Sequence, residues 1–323
     1  MRWDDKEAVR QFLRETRNWG RWGDDDQRGA LNLVTPAKRL EALQTARSGR
    51  TVSLSRNLPT EPASNNPRPV QHYSQWRPRP ETTDGKRETT GAGVAVDYFG
   101  VGCHGMSVTH LDALCHTWDA DGMWNGKDGT SEVGFTGTRW GGIENWKDGI
   151  LTRGVLLDVP AHRGVEYVDL DNPVTGEELE DIARATGVEP RPGDALVVYC
   201  GRSGWTAEHG EWGGPPTDWK DGPAPAVGEV RPGLEASCLR PLREWDCAVL
   251  VWDMLDHSPN RAGLPWSVHS AIHAYGMALV DNADLDELVA VARDEGRAEF
   301  LFFVAPLALH GGTGSPVNPI AVF

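Results

Sequence analysis

The chain has 323 residues, which allows one large domain or two ordinary ones. Its 47 Asp and Glu outnumber 32 Lys and Arg, a formal net charge of −15, and so acidic a surface repels phosphate backbones and anionic lipid, which excludes nucleic acid and membranes as expected partners. With 39% hydrophobic residues and 37 glycines, the composition is that of a chain able to bury a full core.

The opening Met1-Arg2-Trp3-Asp4-Asp5-Lys6-Glu7 is charged and leads into no apolar stretch, so no signal peptide is expected and the expected location is cytoplasmic. Helix formers dominate residues 6–17. Thr35 followed by Pro36 reads as an N-cap with proline at the first helical position, and the helix so begun is expected to run to Gly49. Thr175-x-x-Glu178 is a capping box for a helix over 179–186 closed by Gly187, and another helix over about 285–294 ends at Gly296. Strand-like runs fall at 51–55, 94–98, 155–159, 195–199, 248–252, 277–280 and 300–305. Their order is mixed rather than a strict βαβ alternation, which predicts an α/β fold with a mixed sheet in a single domain over 1–323.

Residues 57–88, rich in Pro, Asn, Arg and Thr, and 118–146, rich in Gly, Trp and Asp, lack periodicity and read as long functional loops. The longest nearly apolar run, 300–309, is too short to span a bilayer. Five cysteines, an odd number with no C-x-x-C spacing, read as reduced and mostly buried thiols; Cys115 beside His116 is read as inert. Tryptophan is over-represented at 14 copies, several in Gly-rich loops, and Trp118 and Trp205 are taken as candidate substrate-binding residues.

The most informative stretch runs from His104 to His116. His110 and Asp112 are two apart, so in an extended segment both project from one face, about 6.6–6.8 Å apart at Cα, and an imidazole and a carboxylate can converge on one cation. His116 follows four residues later, as a further ligand or a proton-transfer group. Mixed His and carboxylate ligation suits Zn or Mn. A structural pair of histidines beside a capping Asp would explain the same spacing. In a second cluster, Ser267 reads as an N-cap that places His269 and His273 on one helical face at i, i+4, where two imidazoles can share a metal. Taken alone, His273 reads better as a core histidine. Asp281 ends a short apolar strand, where an inward carboxylate needs a cation or donors to offset its desolvation. No Walker A lysine, G-x-G-x-x-G or G-x-S-x-G elbow is present.

Together these residues resemble the metal-dependent cyclase family that includes bacterial kynurenine formamidase and isatin hydrolase. That family's signature is His-x-Gly-Thr-His-x-Asp-x-Pro-x-His, followed later by a His and a Glu twelve positions apart. Thr109-His110-Leu111-Asp112 and His116 match its centre and end; His269 and Asp281 have the twelve-residue separation, with Asn282 completing an acid-Asn pair; and 311–319 and 21–32 resemble its closing and opening segments. Met106 stands where the family has its first His, Val108 and Leu114 replace its Gly and Pro, and Asp281 is shorter than its Glu.

The resemblance implies a partly open, barrel-like sheet flanked by helices, an N-terminal helical extension over about 1–50, and a homodimer or homotetramer. It implies one divalent Zn or Mn held by His110, Asp112, His269 and Asp281, with His116 as the catalytic proton donor and acceptor. His104, two residues before the missing ligand, would need a bulge to replace it and is set aside. The implied activity is hydrolysis of an amide, lactam or ester bond in a small aromatic or cyclic substrate, as in an arylformamidase. Two alternatives stay open: a cyclase or dehydratase of secondary metabolism on the same fold, and a non-catalytic binding protein with a degenerate metal site.

Overall fold

A computed structural model describes residues 1–215, 217 and 223–323. Its centre is a nine-stranded mixed sheet in the spatial order Thr51–Ser53, Ile320–Val322, Glu299–Val304, Ile150–Asp158, Ala195–Tyr199, Val249–Trp252, Ala278–Asp281, His110–Asp112 and Gly314–Pro316. The four middle strands from 150 to 281 are parallel and the flanking ones antiparallel. Covered on both faces, parallel strands become continuous apolar runs. Val249-Leu250-Val251-Trp252 and Ala195-Leu196-Val197-Val198 are such runs, fully buried.

The sheet curls until its ends approach each other. Ser55, just past one edge strand, forms a bridge with Ala283, and the Arg56 N–H donates to Thr109 Oγ1 at 3.0 Å. The result is the mixed α/β fold with a partly open barrel expected above.

Capping chemistry sets the helix ends. Thr175 Oγ1 accepts from the Glu178 N–H at 3.1 Å to start Gly176–Thr186, and Gly187 stops it at φ 68. Asp286–Glu295 stops at Gly296 in the same left-handed conformation. Thr35 caps Pro36–Leu43, but this helix ends before Gln44, well short of the expected Gly49. Residues 44–45 instead close it with tight turns onto the carbonyls of Glu41 and Ala42.

The first 50 residues pack on the body. Asn18 N donates to the Ala274 carbonyl at 2.9 Å, and Lys38 Nζ lies 2.6 Å from buried Asp194, which also holds Arg153. Gly29 meets Gly276 backbone to backbone, so a Cβ on Gly29 would fall 2.2 Å from the Gly276 oxygen.

Residues 57–88 are not all loop. Gln71–Pro78 pairs antiparallel with Gly93–Gly100, forming an exposed ribbon that stands off the main sheet. Within the described residues, no helix is long and apolar enough to cross a membrane. The five cysteines are free, four of them buried, and burial pushes the Cys115 thiol up to about 12, so it stays protonated at neutral pH.

Candidate metal centre

The carboxyl ends of the parallel strands and the short strand His110–Asp112 meet at one place. His110 pairs with Asp281 across the antiparallel register, and Asp112 pairs with Leu279. Residues two apart in a strand share a face, as do directly opposed residues of antiparallel strands, so His110, Asp112 and Asp281 all project into the same space. His269 arrives from the loop before the helix Ser270–Tyr275. All four are buried, at 6% exposure or less.

Asp112 is the centre of the group. Its Oδ1 lies 3.3 Å from His110 Nε2 and 3.8 Å from His116 Nε2, and its Oδ2 lies 3.7 Å from His269 Nε2. Asp281 Oδ2 is 3.1 Å from His269 Nε2 and 3.8 Å from His110 Nε2, while Asp281 Oδ1 accepts from the Trp252 indole N–H at 2.6 Å. Two ligand sets share Asp112: His104, His110 and Asp112, and Asp112, His269 and Asp281.

His104 therefore belongs to the cluster, against the expectation that set it aside. Its Nδ1 is 2.9 Å from Asp112 Oδ1 and its Nε2 is 3.0 Å from Thr313 Oγ1. The expectation failed because it assumed an extended register upstream of His110. The strand begins only at His110, and residues 101–109 form an irregular loop with Gly105 at φ 141. That loop swings His104 inward and turns Met106 away, against Gly213 and Gly228.

Other placements depart from the sequence reading as well. His269 and His273 share no site: the helix starts at Ser270, His269 is its cap residue, and His273 points instead to Thr117 Oγ1 at 3.3 Å and Asp119 Oδ2 at 3.6 Å. Trp205 is buried, with its ring against Tyr167 and His209 rather than at the cluster. Trp118 lies nearer, its carbonyl accepting from the Trp266 indole N–H at 3.1 Å; Trp266 in turn stands 6.3 Å from the His116 ring and 5.9 Å from the His269 ring. Asp256, which the sequence reading did not single out, orients His269: one oxygen takes the His269 backbone N–H at 3.1 Å and the other contacts the ring Nδ1. A carboxylate four residues past the end of a parallel strand was the available signal.

The charges fit a cation. Burial alone would raise Asp112, but His116, His110 and His104 outweigh it and hold the carboxyl well below the usual carboxylate range. Burial lowers His269 and His110, and the facing carboxylates overcome it, so both are raised; His104 is pushed to about 10 in the same way by Asp112. His116 behaves differently. Burial, reinforced by His104 and His269, takes it down to about 4 against the pull of Asp112. Neither Asp112 oxygen, both buried, accepts a hydrogen bond of sound geometry. Asp112 thus meets the imidazoles at ion-pair distance without a well-aligned hydrogen bond at either oxygen, and a divalent ion of borderline softness suits this donor set. His110 Nδ1 faces the Val108 carbonyl at 2.8 Å, which leaves Nε2 free to act as a ligand.

A cleft of about 1130 Å³ reaches the cluster at His104 and is walled by Asn65, Arg68, His72, Gly105 and Met106.

The sequence model described as putative cyclase matches residues 51–258, and the chain belongs to this family. A crystal structure described as a novel cyclase is similar over 96% of this chain and 99% of its own, at 27% identity and a TM-score of 0.77. Isatin hydrolase A from Ralstonia solanacearum shares the fold over 84% of this chain and 91% of its own, at 17% identity and a TM-score of 0.52. An isatin hydrolase bound to the product analogue thioisatinate does so over 89% and 95%, at 16% identity and a TM-score of 0.52. No curated protein sequence matches the chain significantly.

Proposed function

We propose that this protein is a metal-dependent hydrolase that opens an amide, lactam or ester bond in a small aromatic or cyclic substrate. The observation that carries the reading is buried Asp112, unsatisfied at both oxygens and ringed by His104, His110, His116 and His269. His110, Asp112, His269 and Asp281 would hold one Zn or Mn, with His104 available as a further ligand through Nδ1. When bound, such an ion lowers the pKa of water toward about 7 and polarises a carbonyl.

The chain's own residues supply the rest. Asp256 fixes the His269 ring so that Nε2 faces the carboxylates, and the Trp252 N–H holds one Asp281 oxygen so that the other points inward. His116 is one-fifth exposed, so it can meet a substrate. Neutral at pH 7, it has a lone pair to accept a proton at Nε2, and because burial disfavours its charged form it would pass that proton on readily to a leaving amine or alkoxide. The indole of Trp266, beside His116 and His269, offers a flat apolar wall for an aromatic acyl or anilide group.

A second copy of this chain is the proposed partner. The 71–100 ribbon exposes Tyr73, Trp76, Tyr98 and Phe99, each about half or more exposed, and an isolated two-stranded ribbon is marginal in water. Trp76 and Phe99 share one face of the ribbon, and aromatic side chains bury about 150–250 Å² each, so two such ribbons meeting on that face across a two-fold axis would cover roughly 500 Å² with these rings alone, about a third of a standard interface of about 1,600 Å².

The test is turnover of a panel of N-formylanilides, lactams and aryl esters by zinc- or manganese-loaded protein, with release of a carboxylic acid expected and loss of turnover on chelation. Turnover that survives strong chelation would favour a metal-independent cyclase or dehydratase instead.

A further inference from the structure

One buried cation plays no part in the chemistry above. Arg202 is 3% exposed and, among the described residues, makes no ion pair. The nearby carboxylate of Asp253 is taken by four backbone N–H groups, from Cys200, Gly201, Arg202 and Met254. The guanidinium is spent on oxygens elsewhere: Nη1 donates to the Asp253 carbonyl at 3.2 Å and to Asn282 Oδ1 at 2.7 Å, and Nη2 donates to the Met106 carbonyl. Asn282 stands at φ 56, a left-handed conformation that Asn tolerates, and is fully buried. Its amide donates to the Gly105 carbonyl at 2.8 Å and the Val108 carbonyl at 3.0 Å, and its own carbonyl accepts from Thr109 Oγ1 at 2.7 Å.

Four of these bonds end on the irregular loop between the two histidines, at the Gly105, Met106 and Val108 carbonyls and the Thr109 hydroxyl. The Val108 carbonyl held by Asn282 is also the one that His110 Nδ1 faces. The Gly105 and Met106 carbonyls follow His104 directly and set where its ring can go. A loop with no strand ladder of its own needs such outside partners to hold one conformation. Burying a guanidinium without a carboxylate is expensive, which points to a gain in order rather than in stability.

We propose that Arg202 and Asn282 form a positioning device that fixes the backbone of residues 105–108 and, through it, aims the imidazoles of His104 and His110 at Asp112. The proposal rests on the reading of those imidazoles as metal ligands given above. It supplies what the shift of the upstream ligand from position 106 to position 104 requires: an external clamp on the loop that carries it.

The test uses the whole 323-residue chain with Arg202→Lys and Asn282→Asp. Lysine keeps the charge but cannot span three oxygens, and aspartate keeps the acceptor for Arg202 but loses both amide donors. Two readouts are taken: histidine Cε1–H resonances of the metal-free protein, assigned with single His→Ala variants, and Zn²⁺ affinity by competition with a chelator. Each variant is expected to move the His104 and His110 resonances while leaving those of His269 and His273 in place, and to weaken Zn²⁺ binding roughly 10–100-fold. Where one variant does not fold, the other reports. Unmoved His104 and His110 resonances, equal movement of every imidazole, or two variants that both fail to fold would overturn the proposal. A wild-type protein that binds no Zn²⁺, with the resonances moving as expected, would overturn the metal reading and leave the clamp standing.

Discussion

His104 and His116 stack face to face, with ring centroids 3.9 Å apart and planes 3° from parallel, and both reach Asp112 Oδ1 through a ring nitrogen. Their surroundings push them in opposite directions, His104 up to about 10 and His116 down to about 4. Two adjacent groups with their affinities for a proton driven apart are how one site divides its roles, one ring committed to Asp112 and the other free to exchange a proton.

Exchanging either ring for alanine should therefore give different losses. His116→Ala is expected to lower kcat by about 10²–10⁴ with Zn²⁺ affinity changed less than tenfold. His104→Ala is expected to weaken Zn²⁺ binding first. Titration calorimetry alongside steady-state kinetics separates the two, and a His116→Ala protein that loses the metal would make that residue a ligand instead.

Removing the carboxylate behind His269 should act at a distance. Asp256→Asn leaves the shape but takes away the charge that holds the ring, and Zn²⁺ affinity is expected to fall roughly 10–100-fold with little change in melting temperature. Chelator competition measures this directly.

The pH dependence follows from His104. Its folded value of about 10 exceeds the ordinary 6.5, so the metal-free folded protein holds a proton that the unfolded chain releases between those values. Its contribution to stability is complete below about pH 6.5 and is lost as pH rises toward 10. Zinc must displace the same proton, so Zn²⁺ affinity should climb over that window while metal-free stability declines. Melting curves with and without Zn²⁺ at pH 6, 7.5 and 9 check both signs.

The ribbon gives a test of assembly. The wild-type chain is expected to be a dimer or larger by light scattering at micromolar concentration, and Trp76→Glu with Phe99→Glu, which share one face of the ribbon, should yield monomers. A monomeric wild type would remove the second copy from the account.

Much of this fold was legible in the sequence where local chemistry decides structure. The apolar runs at 195–199 and 248–252 and the caps at Thr175, Gly187 and Gly296 lie where patterning and capping put them. Gln71–Pro78 was not legible, because both faces of this strand are exposed and no apolar alternation marks it. Within the cluster, the H-x-D spacing and the twelve residues from His269 to Asp281 could be read directly. His104 could not, since its approach depends on a loop held by Arg202 and Asn282 from other parts of the chain. Asp256 escaped for the same reason: only the path from the end of Val249–Trp252 to His269 brings it to the ring.

The central claim is that residues from both halves of the chain hold one divalent ion. Crystals grown with Zn or Mn should show an anomalous peak at the corresponding absorption edge, bounded by His110, Asp112, His269 and Asp281. Crystals soaked with each ion in turn that show no peak among these four side chains would contradict it.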